Sequence, residues 1–475
     1  DNTRSRGLGD VYKRQIILHG GIMDNLVSML NTLSGIAWGP VMLALIAGTG
    51  IFLTLGLKFM PIKKIGYGFK LVKSNSDSQE KGTIAPRSAL MTALSATVGT
   101  GNIAGVATAI AIGGPGAIFW MWVMGFIGMA TKYSEALLAV KFRENDDKGN
   151  YFGGPMYYIK NGLGEKWKWL AFIFALFGTV AAFGIGNMIQ SNSVAAQLQD
   201  TLSVNPLYTG IVIALISSLV IIGGIKRIST AASYLVPWMA LIYIISALYI
   251  IITNINLIPG AVGTIVNSAF HGAEAAGAFA GATVWMAIRF GVARGVFSNE
   301  AGLGSAPIAH AAARTNSPVK QGAIGMLGTF IDTIILCSMT ALVIMISGEW
   351  QNGTTGAVLS SNAFVFGMPD IGDIIITFSI VIFAFTTILG WSYYGERCFS
   401  YIFGEKFIKY YRYLWILAIV LGSYTLNLAD NARQGVDVLW LVADIMNGFM
   451  AIPNLIALIL LSPIVFSITK DFFNK

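Results

Sequence analysis

Thr97-Val98-Gly99-Thr100-Gly101-Asn102 is a run of polar and glycine residues set inside an otherwise apolar stretch of this 475-residue chain. It interrupts SALMTALSATVGTGNIAGVATAI, which is long enough to cross a bilayer. Two glycines in three positions, beside β-branched residues, make a poor continuous helix. Unwound backbone in hydrocarbon is tolerated only where it lines a site or cavity. Free N–H groups at the start of the half-helix that follows suit an anion. A plainer role stays open, because Gly101 and Gly105 form a GxxxG pair suited to close helix packing.

A second irregular segment holds the small-residue patch Gly277-Ala278-Phe279-Ala280-Gly281-Ala282, followed by RGVFSNEAGLGSA. Asn299-Glu300-Ala301-Gly302-Leu303 echoes Asn102-Ile103-Ala104-Gly105-Val106. Arginine at the bilayer centre is costly. A break at Gly277–Gly281, which leaves Arg289 and Arg294 toward the cytoplasmic end, is therefore preferred to one at Gly291–Gly295. Other chemistries have no foothold. The sequence has no HExxH, GxSxG or Walker motif, so neither a metalloprotease, a serine hydrolase nor an ATP-driven pump is indicated. His19, His271 and His310 are far apart, and Cys337 and Cys398 sit in apolar runs, so no metal site other than one for a coupling ion is expected.

The elements that must position these residues follow from composition. The chain is 55% hydrophobic and only 11% charged, against about 25% charged in soluble domains. Such a chain cannot cover a soluble surface, and an all-α polytopic membrane protein is expected. Apolar runs predict eleven spans near residues 36–57, 88–112, 115–140, 168–190, 208–224, 230–252, 261–298, 322–347, 371–396, 412–428 and 436–468. The loops after odd-numbered spans, with the C-terminal tail, hold 24 of the 31 Lys and Arg; those after even-numbered spans hold Arg433 alone. This alternation predicts an outside N-terminus and a cytoplasmic C-terminus. It also explains the net charge of +8 without nucleic acid. Residues 1–15, with no starting Met and no apolar stretch, are expected to be a non-native leader, leaving 16–475 as one transmembrane domain.

The two broken spans are five apart and so run in opposite directions, the arrangement that marks a transporter site near the bilayer midplane. From Gly113-Gly114-Pro115-Gly116-Ala117-Ile118-Phe119-Trp120-Met121-Trp122 onward, the chain resembles the alanine/glycine:cation symporter family. FGIGNMIQSNSVA, RGVFSNEAGLGSAPIAHAAA, FTTILGWSYYGER and NGFMAIPNLIAL carry the resemblance through roughly residues 23–470. It implies Na⁺-coupled uptake of alanine or glycine across a prokaryotic cell membrane, with H⁺ as the other candidate ion and no cofactor or enzymatic activity. It also implies a leucine-transporter-type fold of two inverted five-helix repeats, about 88–252 and 261–468, preceded by one extra helix. A carrier of another small amino acid, or a channel on the same scaffold, is the competing reading.

The resemblance also implies roles for residues. The N–H groups of Thr100 and Gly101 would take the substrate carboxylate, and Gln190 its polar end, with a helix cap as that residue's alternative. Glu274 would accept the ammonium or sit solvated at the outer mouth, and Phe279 would bound the side chain. Sodium prefers oxygen ligands. The fold's common sodium site maps onto the carbonyls of Ser95, Val98 and Phe383 and the hydroxyls of Thr386 and Thr387; back-bonding to the preceding turn is the ordinary alternative for those hydroxyls. Asp332 and Asp444 are intramembrane carboxylates of open role, and Lys132 with Glu135 reads as an interfacial pair.

Overall fold

The computed structural model describes residues 25–74, 79–272, 283–428 and 430–474. The described chain is almost wholly helical, apart from a two-residue hairpin pairing Glu144–Asn145 with Tyr151–Phe152. Among the described residues six helices are long and apolar enough to cross a membrane, from Asn25–Gly56 to Val438–Phe473. Their faces carry exposed Leu, Ile, Phe and Trp, such as Leu45, Ile245, Phe378 and Trp238. An outward face of that composition fits lipid rather than water.

The elements that build the site are these. Helix α1 is Pro40–Gly56, and α2 (Pro86–Thr97) and α3 (Ala104–Gly113) flank the first break. Next come α4 (Gly116–Lys141), α5 (Lys168–Phe183), α6 (Ile189–Leu202), α7 (Pro206–Ile221), α8 (Gly224–Thr253) and α9 (Ile258–His271). Then follow α10 (Val284–Asn299), α11 (Pro307–Ala311), α12 (Pro318–Thr329), α13 (Ser338–Ser347), α14 (Gly356–Gly367), α15 (Gly372–Phe403), α16 (Ile408–Tyr424), α17 (Asp430–Phe449) and α18 (Ala451–Phe473). Helix α4 lies along α10 and α12, while α15 packs against α2, α5, α6 and α8. A large buried aromatic cluster, including Trp391, Tyr394, Tyr411 and Trp415, fills the junction of α5, α15 and α16.

Two expectations change. The seventh span, read as 261–298, is two helices: α9 ends at His271, and α10 starts afresh at Val284 with Thr283 as its cap. The preferred break at Gly277–Gly281 lies outside the described residues. Helix α10 runs unbroken past Arg289 and Arg294 and stops at Asn299; helix resumes only at Pro307. Glu300 (φ 57°), Gly302 (φ 93°) and Gly304 (φ 83°) hold left-handed backbone across this gap, and such geometry cannot continue a right-handed helix. Both arginines therefore precede this break, at Glu300–Ala306. Lys132 and Glu135 are not interfacial either: both are buried, and no ion pair joins them.

At one end of the molecule the two broken segments are stitched together. Thr83 and Ile84 both donate their N–H to Ala312 O (2.8 and 3.1 Å), and Ile84 O accepts from Arg314 N–H at 2.6 Å. The guanidinium of Arg143, at the foot of α4, donates to four backbone carbonyls: Ala311 (3.1 Å), Ala313 (2.6 Å), Lys81 (2.9 Å) and Thr315 (2.7 Å). It also lies 4.5 Å over the Tyr151 ring. No other side chain offers this planar fork of donors. Arg143→Gln should lower unfolding stability by about 2–3 kcal/mol, read as a lower melting temperature in detergent. Arg143→Lys should recover less than half of the loss, because a point charge cannot serve four carbonyls.

Candidate functional site

The first break arises from one substituted hydrogen bond. In a continuous helix Gly99 N–H would bond Ser95 O, and Asn102 N–H would bond Val98 O. Here Gly99 N–H donates to the side-chain Oδ1 of Asn102 at 2.9 Å, and Asn102 N–H donates to Gly99 O at 3.2 Å. The carbonyls of Ser95 and Val98 are left without their helical donors. The turn closes only at Asn102 and Ile103, so Thr100 and Gly101 stand at its start, where N–H groups have no partner in the helix.

Asn102 is itself held from two sides. Its amide nitrogen donates to Asp332 Oδ1 (2.7 Å) and Ser298 Oγ (3.1 Å), and its carbonyl accepts from Thr340 Oγ1 at 2.7 Å. Asp332 lies in a π-helical turn, Phe330–Cys337, between α12 and α13. Its Oδ2 accepts from Ser298 Oγ (2.8 Å) and Thr333 Oγ1 (2.9 Å). The carboxylate therefore ties α10 to the first break.

The second break is held the same way by other residues. Glu135 Oε1 accepts from Gly302 N–H (3.1 Å) and Asn454 Nδ2 (2.7 Å), and Asn454 also donates to Gly302 O at 2.9 Å. Tyr158 donates its hydroxyl to Asn454 Oδ1. Side-chain bulk is excluded at Gly304, where a Cβ would meet Pro155 Cγ at 2.7 Å and Asn454 Cγ at 2.9 Å. Glu300, at the left-handed start of the gap, points its Oε1 at Trp391 Nε1 (2.9 Å) and its Oε2 at Ser305 Oγ (2.5 Å).

A cavity of about 20 Å³ lies between the breaks, room for about one water molecule. Thr97, Gly99, Thr100, Gly101, Gln190 and Thr387 line it, together with Glu300, Phe297, Leu303, Trp391 and Asn447. Two buried acceptors there have no hydrogen-bond partner, Gln190 Oε1 and Asn447 Oδ1. Gln190 is therefore no cap for a helix end; its Nε2 donates to Ile185 O (3.0 Å) beside the π-helical turn Gly184–Met188, and its oxygen is unused. A chamber of about 590 Å³ shares Ile185 and Phe297 with this cavity and holds Arg289, Arg294 and Asp444.

Thr386 and Thr387 face the same region from α15. Both donate their hydroxyls to Phe383 O, at 3.0 and 2.9 Å, which is the ordinary back-bond. Their oxygen lone pairs stay available. A Cβ at Gly99 would lie 2.7 Å from Thr387 Oγ1, and one at Gly390 2.8 Å from Ser95 Oγ. Thus α15 meets α2 and the first break through bare glycines; Ser95, Val98, Phe383, Thr386 and Thr387 are all buried, with Thr386 Oγ1 turned toward Met239 Sδ at 3.5 Å.

Thr100, Gly101, Gln190 and Thr387 come together on one cavity. Glu274 and Phe279 lie outside the described residues. Glu300, Phe297 and Trp391 were not among the sequence-derived candidates, although the 299–303 echo of 102–106 contained Glu300 and marked the segment; Asn447 stands out in sequence only as the i+3 neighbour of Asp444.

The model of the sodium:alanine symporter family matches residues 23–475. An uncharacterized transporter of Haemophilus influenzae is 50% identical, covering 94% of this chain and 96% of its own. The sodium/alanine symporter AgcS of Methanococcus maripaludis is also 50% identical, covering 94% and 97%. Among solved structures, MhsT in complex with L-phenylalanine superposes with a TM-score of 0.54 at 15% identity, covering 82% of this chain and 98% of its own; at that identity the likeness shows the fold, that of the leucine-transporter type.

The Asn102 substitution of donors yields a direct test. Asn102→Ala leaves Gly99 N–H and one Asp332 oxygen without their partners, and should cost about 3 kcal/mol. Thermal melts of the purified protein should show the loss, and a melt within 1 °C of the parent would remove Asn102 from this role.

Proposed function

Since the chain belongs to the sodium:alanine symporter family, a family of multi-pass membrane transporters and not enzymes, we propose that it carries a small neutral amino acid, alanine or glycine, into a prokaryotic cell together with Na⁺. The proposed architecture is one transmembrane domain of eleven spans in two inverted repeats after an extra first helix. The N-terminus lies outside and the C-terminus inside, on the distribution of Lys and Arg.

The observation that carries this reading is the cavity's division of labour. Unpaired N–H groups at Thr100 and Gly101 sit at the positive end of a half-helix and suit a carboxylate. Opposite kinds of atom, Gln190 Oε1, Asn447 Oδ1 and the Glu300 carboxylate, suit an ammonium. Glu300 has spent only two of about four acceptor positions, on Trp391 and Ser305. In this proposal it takes the place given to Glu274. Phe297, Leu303 and Trp391 close round the space that remains, which favours a methyl or hydrogen over a larger side chain.

For the ion, the carbonyls of Ser95 and Val98 have lost their helical donors, and Thr387 approaches the same segment at Gly99. These oxygens, with Phe383 O, form a hard-cation ligand set. Because the same unwinding frees the N–H groups for substrate and the carbonyls for Na⁺, binding either one favours the geometry the other needs. Linkage then makes each raise the other's affinity by one common factor. Transport requires the break to be reached from alternate sides. The large chamber opens on the side of α10, and the Arg143 stitch closes the opposite end.

In proteoliposomes, an inward Na⁺ gradient should drive accumulation of labelled alanine or glycine, and uptake indifferent to that gradient would refute the reading. Thr386→Ala with Thr387→Ala should raise the Na⁺ concentration for half-maximal uptake about tenfold, equivalent to about 1.4 kcal/mol. Glu300→Gln should raise the KM for alanine at least tenfold at saturating Na⁺, since it removes a charged partner of the ammonium.

A further inference from the structure

Away from the two breaks, α6, α7, α8 and α15 enclose a groove of about 380 Å³ that the transport site does not use. Its lining is apolar apart from the hydroxyls of Tyr208 and Thr209, and no charged side chain faces it. Neither an ion nor a zwitterion would be held there. The floor, at Val194 and Ile213, is buried, whereas the rim residues Tyr208, Val212 and Ile216 are exposed. That rim continues into the outward face of α7 at Leu215 and Leu219. The groove therefore opens sideways onto the surface that fits lipid.

Thr209 is the polar feature that needs an occupant. Threonines in other apolar helices close a back-bond to the preceding turn, as Thr54 and Thr179 do at 2.7 Å. The Thr209 hydroxyl is buried and makes no hydrogen bond, which is costly unless something in the groove accepts it. Thr209 stands three residues into α7, beside exposed Tyr208. Tyrosine favours the level of the membrane–water interface, where the ester groups of glycerolipids lie. From there Val212, Ile213 and Ile216 continue the groove for about 10 Å along α7. A helix of a second copy, about 10–12 Å across, would need on the order of 1,000 Å³ over that length. A single hydrocarbon chain needs far less.

The deep wall belongs to α15, at Val381, Ile382 and Phe385. The proposed ion ligands Phe383, Thr386 and Thr387 occupy the same turns of that helix. An unfilled groove leaves this stretch without packing partners on one side, and a filled one restrains it. We propose that the groove binds one acyl chain of a membrane glycerophospholipid, with its ester carbonyl accepting from the Thr209 hydroxyl, and that the seated chain raises the Na⁺ affinity of the helix behind it. The effect on Na⁺ rests on the ion-coupled reading above; the lipid site does not.

The test uses purified full-length protein stripped of lipid in detergent, with dioleoylphosphatidylglycerol as the probe. Native mass spectrometry counts bound lipid, and ²²Na⁺ binding gives the ion affinity. The parent should retain one lipid more than Ile216→Trp, whose indole fills the groove from its exposed rim. Thr209→Val should weaken that lipid about fivefold, the worth of one hydrogen bond. The diether analogue, which has no ester carbonyl, should bind the parent as weakly as the diester binds Thr209→Val. Lipid should raise ²²Na⁺ affinity about threefold in the parent and not in Ile216→Trp, and Na⁺ should raise lipid affinity by the same factor. Should Ile216→Trp fail to fold, Val212→Trp decides on the same readouts. Lipid retention unchanged in the tryptophan variant and in Thr209→Val overturns the site, as does loss of a second protein chain in place of a lipid. Lipid lost in both variants with ²²Na⁺ affinity indifferent to lipid overturns the effect on the ion and upholds the site. A parent that binds the lipid but no ²²Na⁺ overturns the ion-coupled reading instead.

Discussion

Inside a bilayer a backbone N–H that loses its carbonyl has no water to turn to, so a helix can open there only if side chains replace every bond it gives up. Asn102 meets that condition for the first break by accepting Gly99 N–H at 2.9 Å. Its own amide is held in place by Asp332 and Ser298. The substitution releases the carbonyls of Ser95 and Val98 on one side and the N–H groups of Thr100 and Gly101 on the other. Everything proposed for substrate and ion follows from that release.

The two breaks are secured reciprocally. The first is held by Asp332, from the helix after the second break; the second is held by Glu135, from the helix after the first, which accepts Gly302 N–H. In each case a buried carboxylate works beside an asparagine amide, Asn102 or Asn454. Under the proposed inverted repeats the two carboxylates, Glu135 and Asp332, stand at equivalent positions, 33 residues after Asn102 and Asn299, whereas Asn454 has no such relation to Asn102. Each half thus carries the clamp for the other's broken helix, and a movement of one half against the other strains both sites together. The Arg143 stitch ties the same two segments at a further point, joining the residues that precede α2 to those that follow α11.

Several features were legible along the chain because they depend on local composition. The apolar runs announce membrane helices, and Thr97–Asn102 announces an unwound segment, since two glycines among β-branched residues oppose helix wherever they occur. The motifs from Gly113 onward were sufficient to identify the family. Glu300 was harder: it stands in a small-residue segment whose register with Asn102 is visible, but its role depends on Trp391 and Ser305. The break after Asn299 was not singled out, because its left-handed backbone at Glu300, Gly302 and Gly304 is set by tertiary contacts that no local pattern announces.

The sequence by itself determined that this is a membrane transporter of the sodium:alanine symporter family and that its first repeat helix is interrupted at Thr97–Asn102, because hydrophobicity and helix propensity act residue by residue. Tertiary structure alone decided which atoms meet. Gln190 and Asn447 turn unpartnered oxygens into a cavity opened by Thr100 and Gly101; Thr387 comes within reach of Gly99; the second helix breaks at Glu300–Ala306. Those contacts join residues hundreds of positions apart, and which of them form depends on how the helices pack.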